Sequence, residues 1–188
     1  MKQIEKTPLA VWAGALSNEI CNQIIEEGSL LIEEQATINQ DNSIDPSIRD
    51  NKIAWFDEGS WVDNLLLSYV FKTNTINNWN FNLNQSEQVQ FTKYQKDEFY
   101  TWHRDTSIES DIQRKISVTV QLSDYSDYEG GEFEIKDCWG TRVANMHPDA
   151  KTQGSIIVFP SFLLHQVTPV TSGTRYSLVQ WYSGPPFV

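Results

Sequence analysis

Two of this chain's three histidines could share a metal ion. In Y-T-W-H-R-D-T-S, His103 and Asp105 stand two residues apart. On an extended segment, side chains i and i+2 project to the same side, so this imidazole and carboxylate converge while Trp102 and Arg104 point away. A metal held with open positions needs a third ligand. His165, in the apolar stretch P-S-F-L-L-H-Q-V, is the obvious candidate. Two histidines and a carboxylate on one face of an octahedron are the ligand set of non-haem Fe(II) oxygenases, which leaves three positions for chemistry. H-x-D alone is a weak signal. The bland alternatives are a surface strand residue for His103 and a satisfied core histidine for His165.

Arg175 shifts the balance. It follows the T-S-G turn after His165, so the expectation is a returning antiparallel strand that brings the two within reach. A guanidinium inside a barrel is an uncompensated charge unless an anion meets it. Three ligands and a buried arginine suit a dicarboxylate, with one end on the metal and the other on Arg175.

These residues need a scaffold, and the second half of the chain supplies strands. V-Q-F-T-K-Y alternates, as does R-K-I-S-V-T-V-Q-L-S. The latter puts Ile116, Val118, Val120 and Leu122 on one face and Ser117, Thr119 and Gln121 on the other. The small polar face suits the lining of a hydrated cavity, or an ordinary solvent-facing sheet surface. E-F-E-I after Gly130-Gly131, G-S-I-I-V-F, L-H-Q-V-T and T-R-Y-S-L-V-Q-W add further short strands. Many short strands between turn signals predict an antiparallel sandwich or barrel.

Two helices precede them and should pack on one outer face. Ser17 is a good N-cap, with Glu19 in the first turn, and Ile20, Ile24 and Leu31 lie near one face. Gly28 is expected to weaken or break this helix. S-W-V-D from Ser60 caps a second helix striped by Leu65, Leu66, Tyr69, Val70 and Ile76. Between the helices, Ala36 to Ser47 is polar and aperiodic, which fits a lid or binding loop and equally a surface excursion. The expected organisation is one domain over 1–188, with helical support in 1–85 and the barrel core in 86–183.

The 188 residues carry 39% hydrophobic and 12% aromatic side chains, a globular composition. The net charge of −11 argues against a broad nucleic-acid surface. Cys21 and Cys138 are too few and too far apart for a disulfide scaffold or a cysteine zinc site, so a reducing compartment is expected. No apolar run reaches membrane-spanning length. Lys2, Lys6 and P-L-A-V-W-A-G-A-L imitate a signal peptide, but a short run containing Trp12 that leads into a helix start reads as a strand and then a helix. A cytoplasmic location is the expectation.

The motifs together resemble the Fe(II)/2-oxoglutarate-dependent dioxygenases of the prolyl 4-hydroxylase type, specifically the PKHD-type hydroxylases. The stretches that carry the resemblance are K-Y-Q-K-D-E-F-Y-T-W-H-R-D, R-K-I-S-V-T-V-Q-L-S-D-Y-S-D-Y-E-G-G-E-F and G-S-I-I-V-F-P-S-F-L-L-H-Q-V-T-P-V-T-S-G-T-R-Y-S-L-V-Q-W. They span most of Phe91 to Trp181. L-S-N-E-I-C-N-Q-I-I resembles the family's first helix more loosely.

The resemblance implies a double-stranded β-helix, a squashed jelly-roll or cupin-like barrel. It implies His103, Asp105 and His165 as iron ligands and Arg175 on the distal carboxylate of 2-oxoglutarate. Tyr94 would help hold that carboxylate, and Gln121 and Trp181 would line the co-substrate pocket. Fe(II), 2-oxoglutarate and O2 are the implied cofactor and co-substrates, with ascorbate as an auxiliary. The products would be a hydroxylated substrate, succinate and CO2, and no catalytic side chain beyond the ligands is required. Where the family often has Y-x-x-G-x-x-Y, this chain has Asp97 for the glycine, so the turn after Tyr94 must be built differently.

Three functions compete. The first is hydroxylation of a prolyl residue in a peptide or protein. The second is the same chemistry on a free amino acid, another small molecule or a modified base. The third is a non-catalytic metal-binding barrel, which the intact ligand set and Arg175 oppose. His147, in N-M-H-P-D, reads as a turn residue and Cys138 as a structural or bystander thiol. Arg49 reads as a solvated loop charge in preference to a substrate contact. G-P-P-F-V reads as an extended tail.

Overall fold

Alternation in R-K-I-S-V-T-V-Q builds one long strand around which the larger sheet is arranged. The computed structural model describes residues 9–38, 43–106, 111–136, 142–143 and 148–187. His147, Cys138, Lys2, Lys6 and residues 39–42 of the inter-helix segment lie outside the described residues. The first strands are β1 (Ala10–Trp12), β2 (Glu34–Gln35), β3 (Arg49–Asp50), β4 (Lys52–Trp55) and β5 (Gln85–Ser86). Next come β6 (Gln90–Tyr94), β7 (Phe99–His103), β8 (Gln113–Gln121), β9 (Tyr128–Gly130) and β10 (Phe133–Lys136). The last are β11 (Arg142–Val143), β12 (Ile156–Pro160), β13 (His165–Val167), β14 (Val170–Gly173) and β15 (Arg175–Gly184). The helices are α1 (Asn18–Ser29) and α2 (Trp61–Ile76).

The larger sheet runs β1-β12-β8-β15-β6-β4-β2, with β5 also on β15. The smaller runs β11-β10-β13-β7-β3, and β14 pairs β9 as a separate ribbon. The strand pairings are antiparallel. This is a mainly β architecture, the double-stranded β-helix. Register settles which face looks inward. Ser177, Val179 and Trp181 stand opposite Gln121, Thr119 and Ser117, and Arg175 stands opposite Tyr94. The polar face of β8 therefore lines the interior. Its apolar face, Ile116, Val118, Val120 and Leu122, is fully buried in one core with Cys21 and Ile24 of α1 and Val62, Leu66 and Val70 of α2.

The caps form as expected. Ser17 Oγ accepts from the Ile20 N–H and Ser60 Oγ from the Asp63 N–H, and each satisfies a donor that the first helical turn leaves orphaned. Two expectations change. Gly28 stays inside α1, because a Cβ there would lie 2.6 Å from the Phe91 ring. The missing side chain lets the helix sit directly on β6. On α2, Val62 joins the buried stripe while Ile76 is 57% exposed.

The segment ahead of residue 86 holds strands as well as helices. β4 pairs β6, β1 pairs β12, and β3 pairs β7. At two to four residues they are too short to show a period-2 pattern, and their hydrogen bonds come from neighbours distant in sequence. The described flanks of the inter-helix segment are tied down. Ile38 N–H donates to Ser43 O at 2.8 Å, and Asp45 Oδ1 accepts from the Ser47 N–H at 2.9 Å. The tail is anchored too: Phe187 packs on Phe81 and Phe162.

Candidate metal centre and adjoining cavity

His103 ends β7 directly opposite His165 on β13. Their rings are 4.1 Å apart. Asp105 lies beyond the strand, so alternation alone does not aim it. Its backbone N–H donates to Ser161 O at 3.0 Å. Its Oδ2 accepts from Ser117 Oγ at 2.6 Å, and Ser117 Oγ is 2.9 Å from Ser161 Oγ. The ligating atoms of His103, Asp105 and His165 all lie within 4.8 Å of one another.

The hydrogen bonds also set the imidazole tautomers. Each Nδ1–H donates to the carbonyl two residues back, His103 to Thr101 at 2.8 Å and His165 to Leu163 at 2.9 Å. Both Nε2 lone pairs are then bare, 3.5 and 3.4 Å from the Asp105 oxygens. Two lone pairs and an anion aimed at one point repel unless a cation stands between them. The donor set therefore fits a divalent metal, and second-neighbour hydrogen bonds of this kind orient such ligands. Burial, with His165 alongside, pushes His103 down to about 4. Burial works to raise the Asp105 carboxyl, but the positive charge that the histidines carry when protonated outweighs it and holds it well below the usual carboxylate range. A neutral imidazole and an ionised carboxylate are the forms that ligate metal.

Tyr100 stacks on the His103 ring, with centroids 3.4 Å apart. The Arg49 guanidinium covers the other side of Tyr100, 4.6 Å from its centre. Arg49 is not a solvated charge. It is 7% exposed and donates to Asn51 Oδ1, Thr37 O and Gln90 Oε1. Pairing of β3 with β7 draws it inside.

A cavity of about 190 Å³ adjoins the site, lined by Thr119, Gln121, Tyr128, Phe133, Ile157 and Arg175 among others. Phe133 also packs against the His165 ring, 5.7 Å away. Arg175 is 3% exposed and donates to Ser177 Oγ at 3.2 Å, with no ion pair among the described residues. It is not a hairpin neighbour of His165. β13 belongs to the smaller sheet and β15 to the larger, with β14 making the crossing. Tyr94 and Trp181 share the inward face but are not on the cavity wall. The Tyr94 ring lies 5.7 Å from the Arg175 guanidinium. Trp181 Nε1 is buried without a hydrogen-bond partner among the described residues, and Arg114 stacks 3.9 Å over its ring. Asp97 adopts φ 70°, the left-handed conformation a glycine would hold, which aspartate tolerates better than most residues. Ser161, Tyr100 and Tyr128 escaped the sequence reading. Only the polar face of β8 hinted at Ser117.

Fold and site together define a double-stranded β-helix built round two histidines and a carboxylate that could hold a metal ion. Residues 89–183 match the family model of the 2OG-Fe(II) oxygenase superfamily, and the chain belongs to that family. Members of this family are oxygenases that use Fe(II) with 2-oxoglutarate. A PKHD-type hydroxylase of Idiomarina loihiensis is 39% identical over 97 residues, 52% of this chain and 42% of that protein. One from Shewanella oneidensis is 38% identical over 95 residues, 48% of this chain and 40% of that protein. The matches thus span less than half the length of those relatives. A prolyl-4-hydroxylase from Pseudomonas putida superposes with a TM-score of 0.72 at 21% identity, covering 96% of this chain and 94% of that one. A viral collagen prolyl hydroxylase from Paramecium Bursaria Chlorella virus-1, in complex with 2OG, gives 0.70 at 20% identity, covering 95% and 97%. A prolyl hydroxylase from Trichoplax adhaerens, in complex with a peptide fragment of the hypoxia inducible factor oxygen degradation domain, gives 0.71 at 17%, covering 93% and 83%. Among the described residues no helix is long and apolar enough to cross a membrane.

Proposed function

We propose that this chain is an Fe(II)/2-oxoglutarate-dependent hydroxylase acting on a prolyl residue of a peptide or protein. The observation that carries the reading is the convergence of His103, Asp105 and His165 within 4.8 Å beside a cavity walled by Arg175. In this reading those three residues hold iron. Bound iron and O2 supply the oxidising power for C–H hydroxylation while 2-oxoglutarate becomes succinate and CO2.

The chain's own residues bind, orient and exclude water. Nδ1–H bonds to Thr101 O and Leu163 O fix the orientation of both imidazoles and turn each Nε2 toward the metal site. Ser117 fixes the Asp105 carboxylate. Arg175 anchors the distal carboxylate of the co-substrate, with Tyr94 and Gln121 beside it and Trp181 toward the metal end, opposite Ser117. The prolyl preference draws on the structural neighbours, which include prolyl hydroxylases. A chain of charge −11 favours a neutral or cationic peptide. The reading places the enzyme in the cytoplasm, where a free buried thiol such as Cys21 persists reduced.

Succinate release with Fe(II) and 2-oxoglutarate, compared with Asp105→Ala, tests the reading. Equal rates would remove it. Proline-rich peptides should gain one oxygen by mass spectrometry. A panel in which only free amino acids or other small molecules are hydroxylated would transfer the chemistry to that substrate class.

A further inference from the structure

We infer that Tyr128 is a ligand-binding residue of the cavity, donating its phenol hydrogen to the distal carboxylate of the dicarboxylate that Arg175 anchors. This rests on the reading above that the cavity takes 2-oxoglutarate. Tyr128 lies within D-Y-E-G-G, in a stretch that carries the family resemblance but assigns this tyrosine no role of its own. It precedes Gly130-Gly131, is 6% exposed and lines the cavity with Gln121 and Arg175.

The argument turns on where hydrogens must lie. Gln121 Nε2 stands 3.0 Å from Ser123 O and 2.9 Å from Tyr128 Oη. A carbonyl oxygen only accepts, so the contact with Ser123 identifies this atom as the amide nitrogen. Its two hydrogens are then spent, one on Ser123 O and one on the Tyr128 oxygen. The phenol is an acceptor here, and its own hydrogen has no acceptor among the described residues. A buried donor without an acceptor is costly, and a carboxylate on the cavity side removes that cost with a charge-assisted bond.

Gly131 brings the phenol and the guanidinium together. A Cβ at Gly131 would lie 3.0 Å from Arg175 Cδ and 3.4 Å from Tyr128 Cε2. The arginine stem and the tyrosine ring thus flank one bare backbone position. Tyr125 packs edge-on against Tyr128, 5.5 Å between ring centres, and limits its rotation. The cavity wall therefore presents a cation and a neutral donor side by side, which matches a carboxylate's two oxygens.

The test uses the full chain loaded with Mn(II) and two 2-oxo acids, measured by calorimetry. 2-Oxoglutarate has the distal carboxylate and 2-oxobutyrate lacks it. Tyr128→Phe should weaken 2-oxoglutarate about 10- to 100-fold, the range of a hydrogen bond to a charged group. It should leave 2-oxobutyrate within twofold, which also reports an intact fold. Equal weakening of both acids, or of neither, overturns the assignment. If the unaltered protein binds the two acids equally, the co-substrate reading of the cavity fails, and the role of Tyr128 with it. A crystal structure of the unaltered Mn(II) protein with 2-oxoglutarate needs no variant. It should place a carboxylate oxygen within hydrogen-bond distance of Tyr128 Oη, and an oxygen lying elsewhere also overturns the assignment.

Discussion

Ser117→Ala isolates what the scaffold contributes to the metal centre. Ser117 is fully buried, and its hydroxyl donates at 2.6 Å to Asp105 Oδ2. Short bonds to a carboxylate are worth about 1.5–3 kcal/mol. Deleting the hydroxyl leaves Oδ2 without this donor, and water cannot replace it unless it enters a gap the size of one oxygen. The carboxylate is then free to turn away from the imidazoles. Loss of a partner that orients a ligand weakens metal binding about 10- to 100-fold, which matches the energy of the lost bond. Ser161→Ala is the internal comparison. Ser161 Oγ touches Ser117, 2.9 Å away, while it is Ser117 that bonds the carboxylate. A neutral hydroxyl pair is worth about 1 kcal/mol, roughly fivefold, and acts on the carboxylate only through Ser117. Calorimetric Mn(II) titration of the two variants and the unaltered protein should rank them in that order. Equal affinities for Ser117→Ala and the unaltered protein, or a larger loss at Ser161, would refute the reasoning.

Other expectations follow from the same contacts. Gly28→Ala should lower stability by about 1–2 kcal/mol in urea unfolding, because overpacking at 2.6 Å from Phe91 outweighs the helix-propensity gain. A stabilised variant would contradict the close-approach account. Arg49→Met should destabilise by about 3 kcal/mol, since Asn51, Thr37 and Gln90 each lose a donor in a buried setting. A change under about 1 kcal/mol would show those acceptors to be satisfied otherwise. The metal-free protein should lose stability as pH falls from about 6.5 to about 4. His103 is held neutral in the fold at about 4, so the unfolded chain binds more protons across that window. Mn(II) affinity should fall with it. Thermal melts and titrations that stay flat over the window would exclude a buried neutral imidazole.

Much of this protein is decided locally, and that part is legible in the chain. Ser17 and Ser60 cap helices because a hydroxyl meets an orphan N–H three residues on. The alternation of β8 sorts Ser117, Thr119 and Gln121 from the core residues because a strand shows successive side chains to opposite faces. His103 and Asp105 are close because a single residue, Arg104, lies between them. What alternation reports is a face, never the partner opposite. The meeting of His103 and His165 depends on β7 choosing β13, and Arg175 reaches the cavity from the other sheet, not from a hairpin. Arg49 looks solvated in a polar stretch, yet a two-residue strand pulls its charge inside, because burial is set by neighbours distant in sequence. Gly28 marks a helix breaker by propensity and a helix–strand contact in space. Tyr128 sits in the D-Y-E-G-G stretch, whose letters give the phenol no role. Its role follows from one hydrogen atom left over after Gln121 has spent its own, and hydrogen-bond accounting of that kind exists only once the chain has folded.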